Sequence, residues 1–401
     1  MTASAASASG TKGATSTSKI SKNVCTQCPP TSTKVYPLQG PCPPNTLSTL
    51  LKSQFERCRQ SSIIRNDPLA ADVLRRRIVP GQFGLVTEHE PSLFALKRPA
   101  TVTQKVDMDE PFDGSKFHFN KVKGDEEVLA VLHDGDEQRH RILVNVSPLM
   151  FGHGLLVPFA EQCLPQQLTP DAIDLALRLL RRDINHTTGE TLDNSKSTNP
   201  SADTFCIGFN SLGAFSSVNH LHLHILYPSE LDHEARGERL FPDGRTNFPI
   251  AYASTKRIVT ESYLQNKCRV EELHWTVPCF SFQSEGDDCL SQSVASFVRF
   301  LHRQRIPHNV LFVQEKSNSN SNDETAHSTI RCIVIPRQHQ DHFDKDKHGF
   351  NAALGEISGM LIARTKEHFE SFQEVEIIEQ MQKYVACEEK DLEGIYEELQ
   401  R

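Results

Sequence analysis

Three histidines stand at alternate positions in SSVNHLHLHILYP, residues 216–228: His220, His222 and His224. Side chains on a strand alternate between its faces. The three imidazoles therefore share one face, and Leu221, Leu223 and Ile225 share the other. Such a row has three readings. It can sit idle on a solvated sheet, although three of the chain's 18 histidines in strict alternation argue against coincidence. It can hold a metal, because imidazole is a common zinc ligand and an HxH pair can place two nitrogens on one ion. Or it can attack phosphorus, since neutral imidazole is a competent nucleophile at pH 7 and leaves readily once phosphorylated. A ring whose other nitrogen donates to a backbone carbonyl has its tautomer fixed and its attacking nitrogen turned to the substrate. Flanking histidines can then bond phosphate oxygens or protonate the departing group.

The upstream stretch GFNSLGAFSSV, residues 208–218, separates these readings. It offers Gly208 and Gly213, Asn210, and the serines Ser211, Ser216 and Ser217. Small residues let backbone approach a phosphate closely, and hydroxyls with N–H groups bind its oxygens. A metal site needs none of this. A glycine hairpin turn would explain the stretch alone; joined to the histidines, it favours chemistry on a nucleoside phosphate.

The elements that must position these residues are readable. ILVNVSP (142–148) and HGLLVP (153–158) are apolar runs, each ended by proline, and predict an antiparallel hairpin. TPDAIDLALRLLRRDI (169–184) predicts a helix with Thr169 as N-cap and Pro170 at the first helical position. A polar loop over 185–203, a strand within TFCIGFNSLG (204–213) and the histidine strand complete the unit. Residues 309–315 and 329–340 resemble the 142–158 hairpin, with a polar insertion at 316–328, and 350–372 reads as the helix that follows it. The expected organisation is a disordered Ser/Thr/Pro-rich tail over 1–46 and a helical extension over 47–80, ending in Arg75, Arg76 and Arg77. Two related halves follow, 81–229 and 230–390, the second without the histidines. The expected fold class is α+β, an antiparallel sheet with flanking helices and a degenerate second half.

Composition narrows the function further. A net charge of −8 over 401 residues argues against a basic nucleic-acid-binding surface. No apolar run approaches the roughly 20 residues that span a bilayer. The N-terminus lacks an apolar signal core, and its first arginine is Arg57, unlike Arg-rich transit peptides. Eleven scattered cysteines fit reduced thiols in a cytoplasmic protein better than a disulfide framework. Cys25 and Cys28 form a CxxC with no second pair.

SSVNHLHLHILYP after GFNSLG, with GHGLLVP (152–158) earlier, resembles the histidine-triad superfamily of nucleotidyl transferases and hydrolases. FHFNKV (117–122), LVNVSPLMFGHGLLVP (143–158), CLPQQLTPDA (163–172), GFNSLGAFSSVNHLHLH (208–224) and FNAALGEISG (350–359) narrow this to a resemblance to the GDP-D-glucose phosphorylase family. That family is the animal relative of the plant GDP-L-galactose phosphorylases. The likeness runs from about Gly81 to Phe372 and is looser after residue 229. It implies that His222 attacks the α-phosphorus of GDP-glucose, expelling glucose 1-phosphate and leaving a GMP–histidine intermediate, which inorganic phosphate discharges as GDP. No metal or other cofactor is required. The likeness assigns His220 and His224 as flanking catalytic histidines and Ser217 as a phosphate contact. Asn210, Gly213 and Ser216 belong to the same substrate-binding loop, and His153 stands where superfamily members often place a nucleotide-wall residue. Lys121 could neutralise substrate phosphate. His224 occupies a position where the plant enzymes and galactose-1-phosphate uridylyltransferase carry Gln and the hydrolases carry His. Two alternatives stay open: a hydrolase passing the nucleotidyl group from His222 to water, and a non-catalytic module that binds guanine nucleotide or metal.

Overall fold

The computed structural model describes residues 35–38, 46–70, 74–96, 107–122, 124–134, 138–188, 205–228, 245, 247–315 and 329–401. Cys25, Cys28, the loop over 189–203 and the insertion at 316–328 lie outside them, as does most of the expected tail. Within that tail, however, Val35–Pro37 form strand β1, because Tyr36 and Leu38 are apolar enough to be buried. Helix α1 (Leu47–Gln60) is capped by the Thr46 hydroxyl, which accepts from the Thr49 N–H. The helix expected over 47–80 stops there. Asp67 turns the chain by accepting from the Leu69 N–H, Pro68 disfavours helix at the residue before it, and the arginines lie in strand β2 (Leu74–Ile78). Strand β3 (Val86–His89) and helix α2 (Pro91–Leu96) follow.

Next come β4 (Val128–Asp134), β5 (Gln138–Val144), β6 (Gly154–Val157), helix α3 (Pro170–Thr188), β7 (Cys206–Asn210) and β8 (Leu223–Leu226). The same sequence of elements then recurs: β9 (Thr255–Tyr263), β10 (Cys268–Leu273), β11 (Phe280–Gln283), helix α4 (Asp287–Arg303), β12 (His308–Glu315) and β13 (Thr329–Pro336). One sheet holds both sets in the order β1-β4-β5-β6-β8-β7-β12-β13-β11-β10-β9. It is antiparallel except for the β1–β4 pair. The halves join where β7 pairs with β12, setting Asn210 opposite Asn309.

The repeat expected from the sequence is real, but its register differs. Residues 309–315 and 329–336 take the places of β7 and the histidine strand, not of the 142–158 hairpin; short apolar runs of this kind are interchangeable to the eye. The helix expected over 350–372 breaks into α6 (Leu354–Ile357), strand β14 (Met360–Ile362) and α7 (Lys366–Ser371), after the short α5 (Lys345–His348). Gly359 makes the break: its φ is +104°, and a Cβ there would lie 2.7 Å from Pro249. Strand β14 joins β3 and β2 in a second, three-stranded sheet. Helices α8 (Glu374–Tyr384) and α9 (Glu389–Leu399) close the chain.

Helices α3 and α4 form one core with Leu221, Leu223, Ile225, Phe209, Val310 and Phe312. The Thr169 hydroxyl caps α3 by accepting from the Ala172 N–H. A second core packs Leu311, Val313, Ile333 and Ile335 against Leu354 and Ile357 of α6. Strand alternation assigns these two cores to opposite faces of the sheet. The apolar residues of the histidine stretch are thus spent on the helix-side core, and the histidines face the other way.

Candidate active site

Strand β8 begins at Leu223, so His224 lies within it while His220, in a bend, and His222 precede it. The regular strand expected to carry all three is shorter than its pattern suggested. The rings still gather. His222 and His224 have ring centres 5.4 Å apart, and Phe119 packs on His220 at 5.7 Å and on His222 at 4.9 Å. Segment 164–166 takes the place of a ladder partner. The Leu221 N–H donates to the Leu164 carbonyl at 2.8 Å and the His222 N–H to Gln166 Oε1 at 2.9 Å. Gln166 Nε2 donates to the carbonyls of His222 at 3.0 Å and Asn210 at 2.9 Å. Gln166 is buried, so this one amide satisfies backbone groups that water cannot reach.

The two ring nitrogens of His222 are set apart by their surroundings. Its Nδ1 lies 2.8 Å from the His220 carbonyl, which can only accept. The proton therefore sits on Nδ1, and Nε2 carries the lone pair. Burial lowers its pKa to about 4, partly offset by that carbonyl, so the ring is neutral at pH 7. His220 has the opposite tautomer: its Nδ1 accepts from the Phe119 N–H at 3.1 Å, placing the proton on Nε2. Its pKa is also lowered to about 4, first by burial and then by the neighbouring His222 and His118.

His224 is oriented through His153. The Leu149 N–H can only donate, and it meets His153 Nδ1 at 3.0 Å. Neutral His153 must then carry its proton on Nε2, which lies 3.0 Å from His224 Nδ1 and donates to it. His224 in turn carries its proton on Nε2. Asn145 Nδ2 sits 3.5 and 3.2 Å from the two His153 nitrogens, nearly equidistant, and so selects neither. His224 Nε2 is 3.4 Å from Asn210 Nδ2. In this assignment both are donors and cannot satisfy each other. An oxygen placed beside them accepts from both, which is what a phosphoryl oxygen requires.

The remaining sequence candidates divide. Ser216 is buried and its hydroxyl donates to the Val218 carbonyl at 3.2 Å, while Ser217 is exposed on the same loop. Gly213 has φ +75°, and a Cβ there would come within 2.6 Å of the His339 ring. Its small size serves packing against the second half. Lys121 is exposed, and its ammonium donates to the carbonyls of Ser115 at 2.8 Å and Lys116 at 2.6 Å. It follows Phe119 on a short turn, but no bond joins it to the histidines. Sequence reasoning missed Gln166 and Phe119. Both lie inside stretches that carried the family resemblance, yet nothing in their local spacing distinguishes them.

Among the described residues, no helix is long and apolar enough to cross a membrane. Two family models match the chain: GDPGP1-like, N-terminal domain, over residues 46–188, and GDPGP1-like, C-terminal domain, over residues 249–398. The histidine motif lies between the two matched stretches, and the first of them includes α1 and β2, ahead of Gly81. GDP-D-glucose phosphorylase 1 of Danio rerio is 30% identical over 345 residues, covering 85% of this chain and 87% of that protein. GDP-L-galactose phosphorylase 2 of Arabidopsis thaliana is 26% identical over 364 residues, covering 83% of this chain and 71% of that protein. The crystal structure of yeast Ap4A phosphorylase Apa2 in complex with Ap4A matches with a TM-score of 0.51 at 16% identity, over 85% of this chain and 98% of that one, a likeness of fold. The chain belongs to the GDPGP1-like family of GDP-D-glucose phosphorylases.

Proposed function

We propose that this protein phosphorolyses GDP-D-glucose, converting it with inorganic phosphate into GDP and glucose 1-phosphate. The observation that carries the reading is the His222 ring, buried and neutral, with Nδ1 spent on the His220 carbonyl and Nε2 left as the nucleophile. In the first step Nε2 forms a bond to the α-phosphorus, and the bond from that phosphorus to the oxygen bridging to the β-phosphate breaks. Glucose 1-phosphate departs with the bonding pair. The His224 Nε2–H and the Asn210 amide donate to oxygens on which charge builds. In the second step inorganic phosphate attacks the same phosphorus, the P–N bond breaks, and GDP leaves His222 regenerated. Splitting one displacement into two predicts ping-pong kinetics. Curated relatives named GDP-D-glucose phosphorylase 1, from Danio rerio, Xenopus laevis and Homo sapiens among others, support this substrate pair. The described cysteines are all free thiols, which suits a reducing compartment, and we place the enzyme in the cytoplasm.

The test is product release from GDP-glucose with and without millimolar phosphate, nucleotides separated by chromatography. GDP together with glucose 1-phosphate, in multiple turnovers only when phosphate is present, is the expected result. GMP released at equal rate without phosphate would assign the site to a hydrolase.

A further inference from the structure

The second half carries no histidine row, yet it reaches the catalytic centre through Asn309. Asn309, opposite Asn210 where β7 meets β12, is fully buried. Its amide orientation is settled by two partners of fixed sense. The Ala214 carbonyl, which can only accept, lies 3.1 Å from Nδ2, and Arg337 Nη1, which can only donate, lies 3.5 Å from Oδ1. The second hydrogen on Nδ2 is therefore directed at Asn210, whose contacting atom is 2.6 Å away and must be the oxygen. The Leu354 N–H meets the same Asn210 oxygen at 3.3 Å and agrees. With Oδ1 claimed twice, Asn210 has only Nδ2 to present to His224 and to a phosphoryl oxygen.

Arg337 stands behind both claims. It is buried at 1% exposure, with its guanidinium 5.2 Å from the Phe215 ring centre. Nη1 also donates to the Ala352 carbonyl, two residues before Leu354, and Nε donates to the Gln338 carbonyl at 3.1 Å. Burial pulls its pKa down to about 9, with Glu356 acting the other way, so it is charged at pH 7. A buried cation is expensive unless the fold uses it to hold partners in place. Here it holds the two groups that hold Asn210.

The geometry points to Asn309 and Arg337 of the second half as positioning residues that lock the Asn210 amide with its N–H₂ toward the reacting phosphoryl group. The inference rests on the proposed reaction at His222 and goes beyond it. It gives the second half a part in catalysis that does not require chemistry of its own.

The decisive variant is Asn309→Asp, which keeps the shape and can pair with Arg337 but cannot donate to Asn210 or Ala214. Asn210 then turns its N–H₂ to the new carboxylate and presents oxygen to the site. Removing one preorganised donor costs about 10²-fold in kcat, with little change in KM for GDP-glucose. Asn210→Ala should cost a similar factor. The double variant should be no worse than Asn210→Ala, because no amide remains to be turned. Independent, multiplying losses, or Asn309→Asp at wild-type kcat, would overturn the inference. Asn309→Ala, which removes the donor altogether, gives the same kinetic cycle if the aspartate variant does not fold. A readout independent of turnover is the NMR titration of His224. Its midpoint should rise in Asn309→Asp, where the Nε2–H gains an oxygen partner, and rise less when Asn210→Ala is added. Equal midpoints in the two variants would also overturn it. Wild-type protein inactive on GDP-glucose would instead strike the proposed function and leave the titration to decide this inference.

Discussion

Replacing His222 with asparagine abolishes GDP-glucose phosphorolysis, lowering kcat on the order of 10⁴-fold or more, the scale expected when a covalent nucleophile is removed. Neither of the other two histidines of the row can replace it. The His220 lone-pair nitrogen already accepts from the Phe119 N–H, and His224 Nδ1 accepts from His153. The protein should still fold. Asparagine keeps a side-chain amide near the His220 carbonyl, and Gln166 bonds only the backbone of residue 222, which the substitution leaves in place. Unfolding free energy should therefore change by less than about 3 kcal/mol, the cost of leaving one buried polar group unpaired. Steady-state rates, with urea unfolding of the same preparations, check both halves of the expectation. Residual turnover within tenfold of wild type would mean that another group attacks phosphorus.

The second large effect is on stability in mild acid. His140, His220, His222 and His308 are buried, and burial is the leading cause holding each pKa at about 4. An unfolded histidine titrates near 6.5. Above pH 7 neither state binds these protons and the folded state keeps its full stability. Between about 6.5 and 4 the unfolded chain takes up protons that the folded rings refuse, so stability falls as pH falls. Glu90 works against this. Burial raises its pKa to about 7, so in the same window the folded state holds a proton that the unfolded chain releases. One carboxyl offsets about one ring. The net slope is roughly 4 kcal/mol per pH unit, or about 10 kcal/mol across the window, a loss on the scale of the 5–15 kcal/mol of an ordinary native state. Urea melts at pH 7.5, 6.5, 5.5 and 4.5 should show a plateau and then a steep decline. Equal stability at 7.5 and 4.5 would show that these rings are accessible to protons. The acid limb of kcat/KM should also fall below the ordinary histidine range, wherever the protein remains folded.

The parts legible in sequence were those written locally. The 142–158 hairpin announces itself by two apolar runs, each ended by proline, and α3 by Thr169 and Pro170 at its start. The two-faced pattern at 220–225 put leucines in the core and histidines in the site, although half of that stretch, 220–222, is not regular strand. What the pattern could not show is what stabilises it there. Gln166 reaches His222 across 56 residues, and Asn309 reaches Asn210 across 99. Such pairings depend on which strands become neighbours and in what register, and no local period records that. The same gap explains the misplaced repeat. Residues 309–315 are plainly a strand, but only its pairing with β7 identifies its counterpart in the first half. Gly213 shows the converse. Its need for glycine was readable, while the cause, the approach of His339 from the second half, was not.

The central claim is that His222 carries the nucleotidyl group between GDP-glucose and phosphate. Intact-protein mass spectrometry of wild-type enzyme mixed with GDP-glucose in phosphate-free buffer tests it most directly. The predicted result is one added guanylyl group, mapped by peptide analysis to His222 and absent from His222→Asn. Added phosphate should discharge it as GDP. An adduct on another residue, no adduct while phosphorolysis proceeds, or an adduct that water removes as fast as phosphate would contradict the account.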